Sequence, residues 1–153
     1  METIAKSVGS SDYWKLYFVE NVFRILIHSI LSVQIGRDWW DIAVDKGIRG
    51  DVEKARRRYS RRPLLTSPGS HGIYYTYLWN LAEIMRANSH IFLPVVADVD
   101  QWVVRIEQIV LPRNIVGHMN YPNHGDRQSI DLLYTDCLSL VQSLSGRITF
   151  NIP

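Results

Sequence analysis

Apolar positions along the chain recur at intervals of three and four residues rather than in alternation, a period that predicts helices. The longest apolar stretch runs over 13–35, with Phe23, Ile27, Ile30 and Leu31 on one face. Ser10, Ser11 and Asp12 offer N-caps ahead of it, and Gly36 offers a C-cap behind it. Asp38 is placed to cap a short helix through Trp39, Trp40, Ile42 and Val44 that ends near Gly47. A third helix is expected over 51–62, then a loop at Pro63 and over 66–72. The stretch 73–87 reads as a helix with Tyr74, Tyr77, Leu78, Leu81 and Ile84 on one side. Asp98 or Asp100 opens another, carrying Trp102, Val103, Ile106, Ile109 and Val110, which Pro112 kinks or ends. Residues 113–119 continue as helix or turn until Tyr121, Pro122 and Gly125 break the pattern. Asp126 is expected to cap the last long helix, whose stripe of Ile130, Leu133, Cys137, Val141 and Leu144 closes at Gly146, before an extended tail over 147–153. The fold class that follows is all-α, a bundle of about four main helices plus short ones. One domain is expected over 1–153, with its core at about 12–145.

Composition narrows this picture without changing it. Of 153 residues, 46% are hydrophobic and 21% charged, which excludes a disordered chain. The single cysteine, Cys137, excludes an internal disulfide framework and a Cys-rich zinc site, and suits a reducing compartment. The run free of formal charge, 25–36, is shorter than the ~18 residues a spanning helix needs. No basic segment followed by an apolar one opens the chain, so the expectation is a cytoplasmic protein with no membrane contact. Most Trp and Tyr residues sit at helical spacing and are expected in the core. Trp39 and Trp40 are adjacent and cannot both face it, so one is expected to pack on another element or a partner. His71, His90 and His124 are expected to be exposed.

The stretch Arg113-Asn114-Ile115-Val116-Gly117-His118 is the best candidate for chemistry. An imidazole with an ordinary pKa of about 6.5 can take or give a proton at neutral pH. A guanidinium stays charged and can hold phosphate oxygens as charge builds in a transition state. RNA brings its own nucleophile, the 2′-OH, so such a pair can cleave a phosphodiester without a metal. The spacing alone is weak, because chance supplies about one such pair in a chain with this many arginines and histidines. Residues four apart on a helix are neighbours, whereas those five apart diverge. Asn114 and His118 should therefore share a face, with Tyr121 near it if the helix persists. Arg113 should point elsewhere unless Pro112 or Gly117 distorts the turn, or else meet the histidine of another copy.

In context these residues resemble the HEPN superfamily, all-helical domains whose nuclease members carry Arg, a polar residue, often Asn, and then His at this spacing. Glu20-Asn21-Val22-Phe23-Arg24 and Gly36-Arg37-Asp38-Trp39-Trp40 look like the amino-terminal half of one HEPN branch. Residues 77–81 and 100–109 fall where its middle helices would lie, so the similarity covers about 12–144. The resemblance implies a metal-independent endoribonuclease without a cofactor, of the toxin, abortive-infection or antiviral-defence kind. It implies Arg113 and His118 as catalytic residues, Asn114 as orienting or assisting them, and Glu20, Arg24 and Tyr121 in support. The implied partners are RNA, a second copy of the chain, and an antitoxin or other defence-system protein. A subgroup of these toxins has a tyrosine two residues after its histidine. Tyr121 is three after His118, so that subgroup's regulation is not carried over. The alternative is a non-catalytic HEPN module that binds a nucleotide or a protein, or dimerises.

The net charge is only +2, so any nucleic-acid reading rests on where charge is concentrated. It is densest at Lys54, Arg56, Arg57, Arg58, Arg61 and Arg62, which read either as a solvated helix face or as an RNA-tracking patch with Tyr59 available for stacking. A small helical nucleic-acid binder using this segment alone ranks third. Glu20, Arg24 and His28 are spaced by fours, as a surface ion pair and its neighbour would be. No metal is expected, because His118, His124 and Asp126 match no ligand spacing.

Overall fold

The computed structural model describes residues 1–62 and 64–153; Pro63, expected in a loop, lies outside the described residues. The fold is all-α, 73% helical, and contains no strand among the described residues. Helix α1 spans Glu2–Gln34. Then come α2 (Trp39–Ala43), α3 (Lys46–Ser60), a 3₁₀ turn at Gly72–Tyr75, α4 (Leu78–Ala87), α5 (Ser89–Phe92), α6 (Val99–Gly117) and α7 (His124–Leu144). Helices α1, α4, α6 and α7 form a closed ring in which α4 and α7 each pack on both α1 and α6. Basic α3 stands outside the ring, against the 3₁₀ turn.

Phe23, Leu26, Ile27 and Leu31 of α1, Leu81, Ile84 and Met85 of α4, and Ile106 and Ile109 of α6 are fully buried. Each contributes about 1.5–3 kcal/mol by leaving water. Phe23 meets Trp102 edge to face at 5.9 Å between ring centroids. By length and composition α1 is apolar enough to cross a membrane; in this fold its apolar stripe forms the centre of the core. Cys137 belongs to that core, and burial pushes its thiol up to about 12.

Several boundaries differ from the sequence expectation. Helix α1 starts well before the proposed caps and passes through them, with Gly9–Tyr13 as a π-helical bulge. Asp12 caps nothing: it is buried 3.2 Å from Arg127 of α7, and burial raises its carboxyl pKa against the opposing pull of Arg127 and Lys15. Gly47 does not end α2 but sits in the first turn of α3, its N–H held by the Asp45 carboxylate at 2.7 Å. Pro112 does not end α6; the helix runs five residues past it, with the ring buried. Asn123, not Asp126, caps α7, and the two exchange hydrogen bonds of 2.9 Å as a capping box. The tail is tied to the bundle: Ser29 Oγ accepts from the Asn151 N–H at 2.8 Å, and the Tyr74 hydroxyl donates to the Pro153 carbonyl at 2.9 Å.

The aromatic residues depart furthest from expectation. Only Trp39 and Trp102 among the tryptophans are buried, whereas Trp14, Trp79, Tyr13, Tyr17, Tyr59, Tyr77 and Tyr121 are exposed. Helical spacing does not distinguish a buried face from its flanks when ring edges can reach solvent. Trp40 lies so close over Gly72 that a Cβ there would come within 2.6 Å of the indole. The Trp pair is thus consumed by internal packing rather than offered to a partner.

Candidate functional site

The carboxyl end of α6 builds the site. His118 is the C-cap, and Met119 follows with a φ of 61°, the left-handed conformation that closes the helix. The Asn120 N–H reaches the Ile115 carbonyl and the Met119 N–H the Val116 carbonyl, the double bond of a Schellman turn. The turn stops the helix one residue after Gly117 and sends the chain away, so Tyr121 does not join His118. Its ring instead lies 5.0 Å from the Arg127 guanidinium.

Arg113 points toward α1. Its Nε donates to Glu20 Oε2 at 3.4 Å across 93 residues of sequence. Its Nη1 lies over Gly117, where a Cβ would stand 3.2 Å away, so the glycine leaves the guanidinium room to lie flat. Glu20 is buried, and its other oxygen accepts from Arg24, which also donates to the Thr76 carbonyl at 3.1 Å. A buried carboxylate held between two guanidiniums is well compensated, and the cluster retains one net positive charge. Glu20 and Arg24 are therefore not a surface pair. His28 does not join them; it accepts a hydrogen bond from the Trp39 indole at 3.2 Å.

Two clefts meet at Arg113. One, of about 340 Å³, is walled by Leu16, Tyr17, Glu20, Asn21 and Gly117. The other, of about 310 Å³, is lined by Tyr77, Leu78, Trp79, Val110, Asn114 and His118. Arg113 lines both, so the helix brings Arg113, Asn114 and His118 to one opening although the Arg113 charge is anchored from the neighbouring one. His118 is exposed there, and Arg113 and Asn114 are half-buried.

The basic segment divides in two. Arg56 donates to the Ser70 carbonyl and lies 5.7 Å from the Tyr75 ring centroid, Arg57 pairs with Glu53 at 3.3 Å, and Lys54 pairs with Asp51 at 2.9 Å. Arg58, Arg61 and Arg62 make no ion pair or side-chain hydrogen bond among the described residues, and they line a groove of about 630 Å³ with Tyr59 and Tyr77. Tyr77 and Trp79 border the opening beside His118, and Tyr77 is not the helical residue that a helix starting at 73 would make it. The helix starts at Leu78 instead, where Asn80 Oδ1 accepts from the Tyr77 N–H at 2.8 Å. The signal available was that asparagine, three residues after Tyr77, in capping position.

His71 is not exposed. It stacks on Trp39 at 5.2 Å, and its Nδ1 accepts from the Ile73 N–H at 3.2 Å. Burial, helped by His28 and Arg56, pushes its pKa down to about 4, and burial lowers that of His28 as well. His90 and His124 are exposed. Among the described residues no three His, Cys, Asp or Glu side chains cluster as a metal site requires. No family model, no curated protein and no solved structure matches the chain.

Proposed function

We propose that the chain is a HEPN domain acting as a metal-independent endoribonuclease, in a toxin or antiviral-defence setting in the cytoplasm. The observation that carries this reading is the convergence of Arg113, Asn114 and His118 on one opening, with Arg113 gripped by Glu20 and Glu20 by Arg24. These are five of the six residues the HEPN resemblance singles out, in two separate segments; the sixth, Tyr121, lies against Arg127 instead.

In this mechanism the 2′-oxygen of RNA attacks the adjacent phosphorus. The new P–O2′ bond forms as the P–O5′ bond breaks, leaving a 2′,3′-cyclic phosphate and a 5′-hydroxyl. His118 takes the 2′-OH proton, and an imidazolium returns one to the departing 5′-oxygen. Arg113 stabilises the extra negative charge on the phosphorane. A second copy of the chain would supply the second imidazole, so the proposal includes a homodimer with a shared cleft. A tandem fusion of one wild-type and one His118→Ala copy tests that point. A shared site loses tenfold or more relative to a wild-type tandem, while independent sites lose about half.

The second reading, a non-catalytic module that binds a nucleotide or a partner protein, is favoured by the Glu20 contact, which already engages Arg113 Nε in the single chain. Purified protein incubated with mixed RNA in EDTA separates the two. New 2′,3′-cyclic ends that vanish in Arg113→Ala and His118→Ala support cleavage. Intact RNA under the same conditions leaves the binding module.

A further inference from the structure

Tyr77 is 58% exposed and Trp79 43% exposed at the start of α4, a helix whose other face, through Leu81, Ile84 and Met85, is fully buried. Tyr77 borders three depressions in succession. The first is the arginine groove of Arg58, Arg61 and Arg62. The second lies between α3 and α4, shared with Arg58 and Trp79. The third is the opening that holds Asn114 and His118, shared again with Trp79. The same two rings therefore bridge the cationic groove and the Arg113–His118 opening. Among the described residues the one carboxylate bordering this path, Asp51, is paired with Lys54 at 2.9 Å.

We infer that Tyr77 and Trp79 are a base-stacking platform for single-stranded RNA, which runs from Arg58, Arg61 and Arg62 over the two rings to His118. This rests on the ribonuclease reading for its destination but not for its binding. Three guanidiniums displayed without acidic partners among the described residues are complementary to a polyanion. Flat rings between them and the opening suit unpaired bases, each of which offers a π face. A duplex keeps its bases stacked inside and cannot use the rings.

The test measures binding of a fluorescent 2′-O-methyl RNA single strand, which lacks the nucleophile and cannot be cleaved, to the whole chain in EDTA. Tyr77→Leu and Trp79→Leu should each weaken binding by roughly 5- to 150-fold while leaving its salt dependence unchanged. Tyr77→Phe and Trp79→Phe, which keep a ring, should restore it. Arg58→Ala should instead flatten the log–log salt slope by about 0.7. Circular dichroism and melting of each variant verify the fold. Leucine variants that bind as tightly as wild type, or a wild type that prefers duplex or ignores the strand, overturn the platform. Because the probe cannot be cut, failure of the nuclease reading shows separately, as normal binding of this probe with no cyclic ends from ordinary RNA.

Discussion

His71 and His118 occupy opposite kinds of surroundings. His71 is enclosed with His28 between Trp39 and Trp40, with ring centroids 5.1–5.3 Å apart, and its Nδ1 is committed to a backbone N–H. Burial keeps it neutral far below the ordinary range, so it serves the fold and has little capacity to exchange protons near neutrality. His118 stands exposed on a helix end, and its neighbours in the opening are an arginine anchored from another helix, an asparagine and two aromatic rings. The lesson is that enclosure by aromatic side chains commits a histidine to the fold, whereas a helix terminus leaves its imidazole open to solvent.

The comparison breaks most directly at the exposed end. His118→Ala and Arg113→Ala should each cut RNA cleavage by about 10²–10⁴-fold with the melting temperature near wild type. Retained cleavage in both variants would end the catalytic assignment, and collapse of both would make the residues structural. Next comes the anchor. Glu20→Ala strips Arg24, whose side chain is 12% exposed, and Arg113 of their shared carboxylate. Arg24 then keeps only neutral partners, the Thr76 carbonyl among them, and the loss should cost about 1–3 kcal/mol in denaturant titration. Stability within a few tenths of wild type would mean the two cations are solvated well enough without it.

The enclosed end gives a pH signature. Unfolded His71 takes up a proton below about 6.5, while the folded side chain does so only near 4, so the unfolded state holds more protons between these values. Stability should therefore be full above pH 6.5, decline as pH falls toward about 4, and level off below it. His28 acts in the same direction. His71→Gln should flatten that segment of the melting-temperature profile. An unchanged profile in the variant would place the acid sensitivity elsewhere.

The all-α class was legible because apolar residues such as Phe23, Ile27, Ile30 and Leu31 keep a strict helical period. The candidate Arg113, Asn114 and His118 were legible from a short motif and its position. Asp12 was not, because its partner Arg127 comes from a helix more than a hundred residues later, and a serine-rich stretch imitates a cap. Tyr77 was lost to a five-residue error in where α4 starts. The approach of Arg113 to Glu20, the contact that gives the motif a physical anchor, joins segments whose relation is set only by tertiary packing.

The smallest test separates helix stability from the placement of Arg113. Gly117 lies in the last turn of α6 and has open space around an added Cβ except for Arg113 Nη1 at 3.2 Å. Gly117→Ala should gain up to about 1 kcal/mol of helix stability, since glycine is the poorer former. The flexible end of Arg113 can move a few tenths of an ångström, so the methyl does not cancel that gain, but it shifts the guanidinium that the opening relies on. Met119→Gly is the control: it relieves a left-handed non-glycine residue two positions later, contributes a similar stabilisation, and removes an exposed side chain that lines neither opening at Arg113. Both variants should melt higher than wild type, with cleavage reduced severalfold in Gly117→Ala and unchanged in Met119→Gly. Equal activity in the two would mean that the position of Arg113 over Gly117 is incidental to the chemistry.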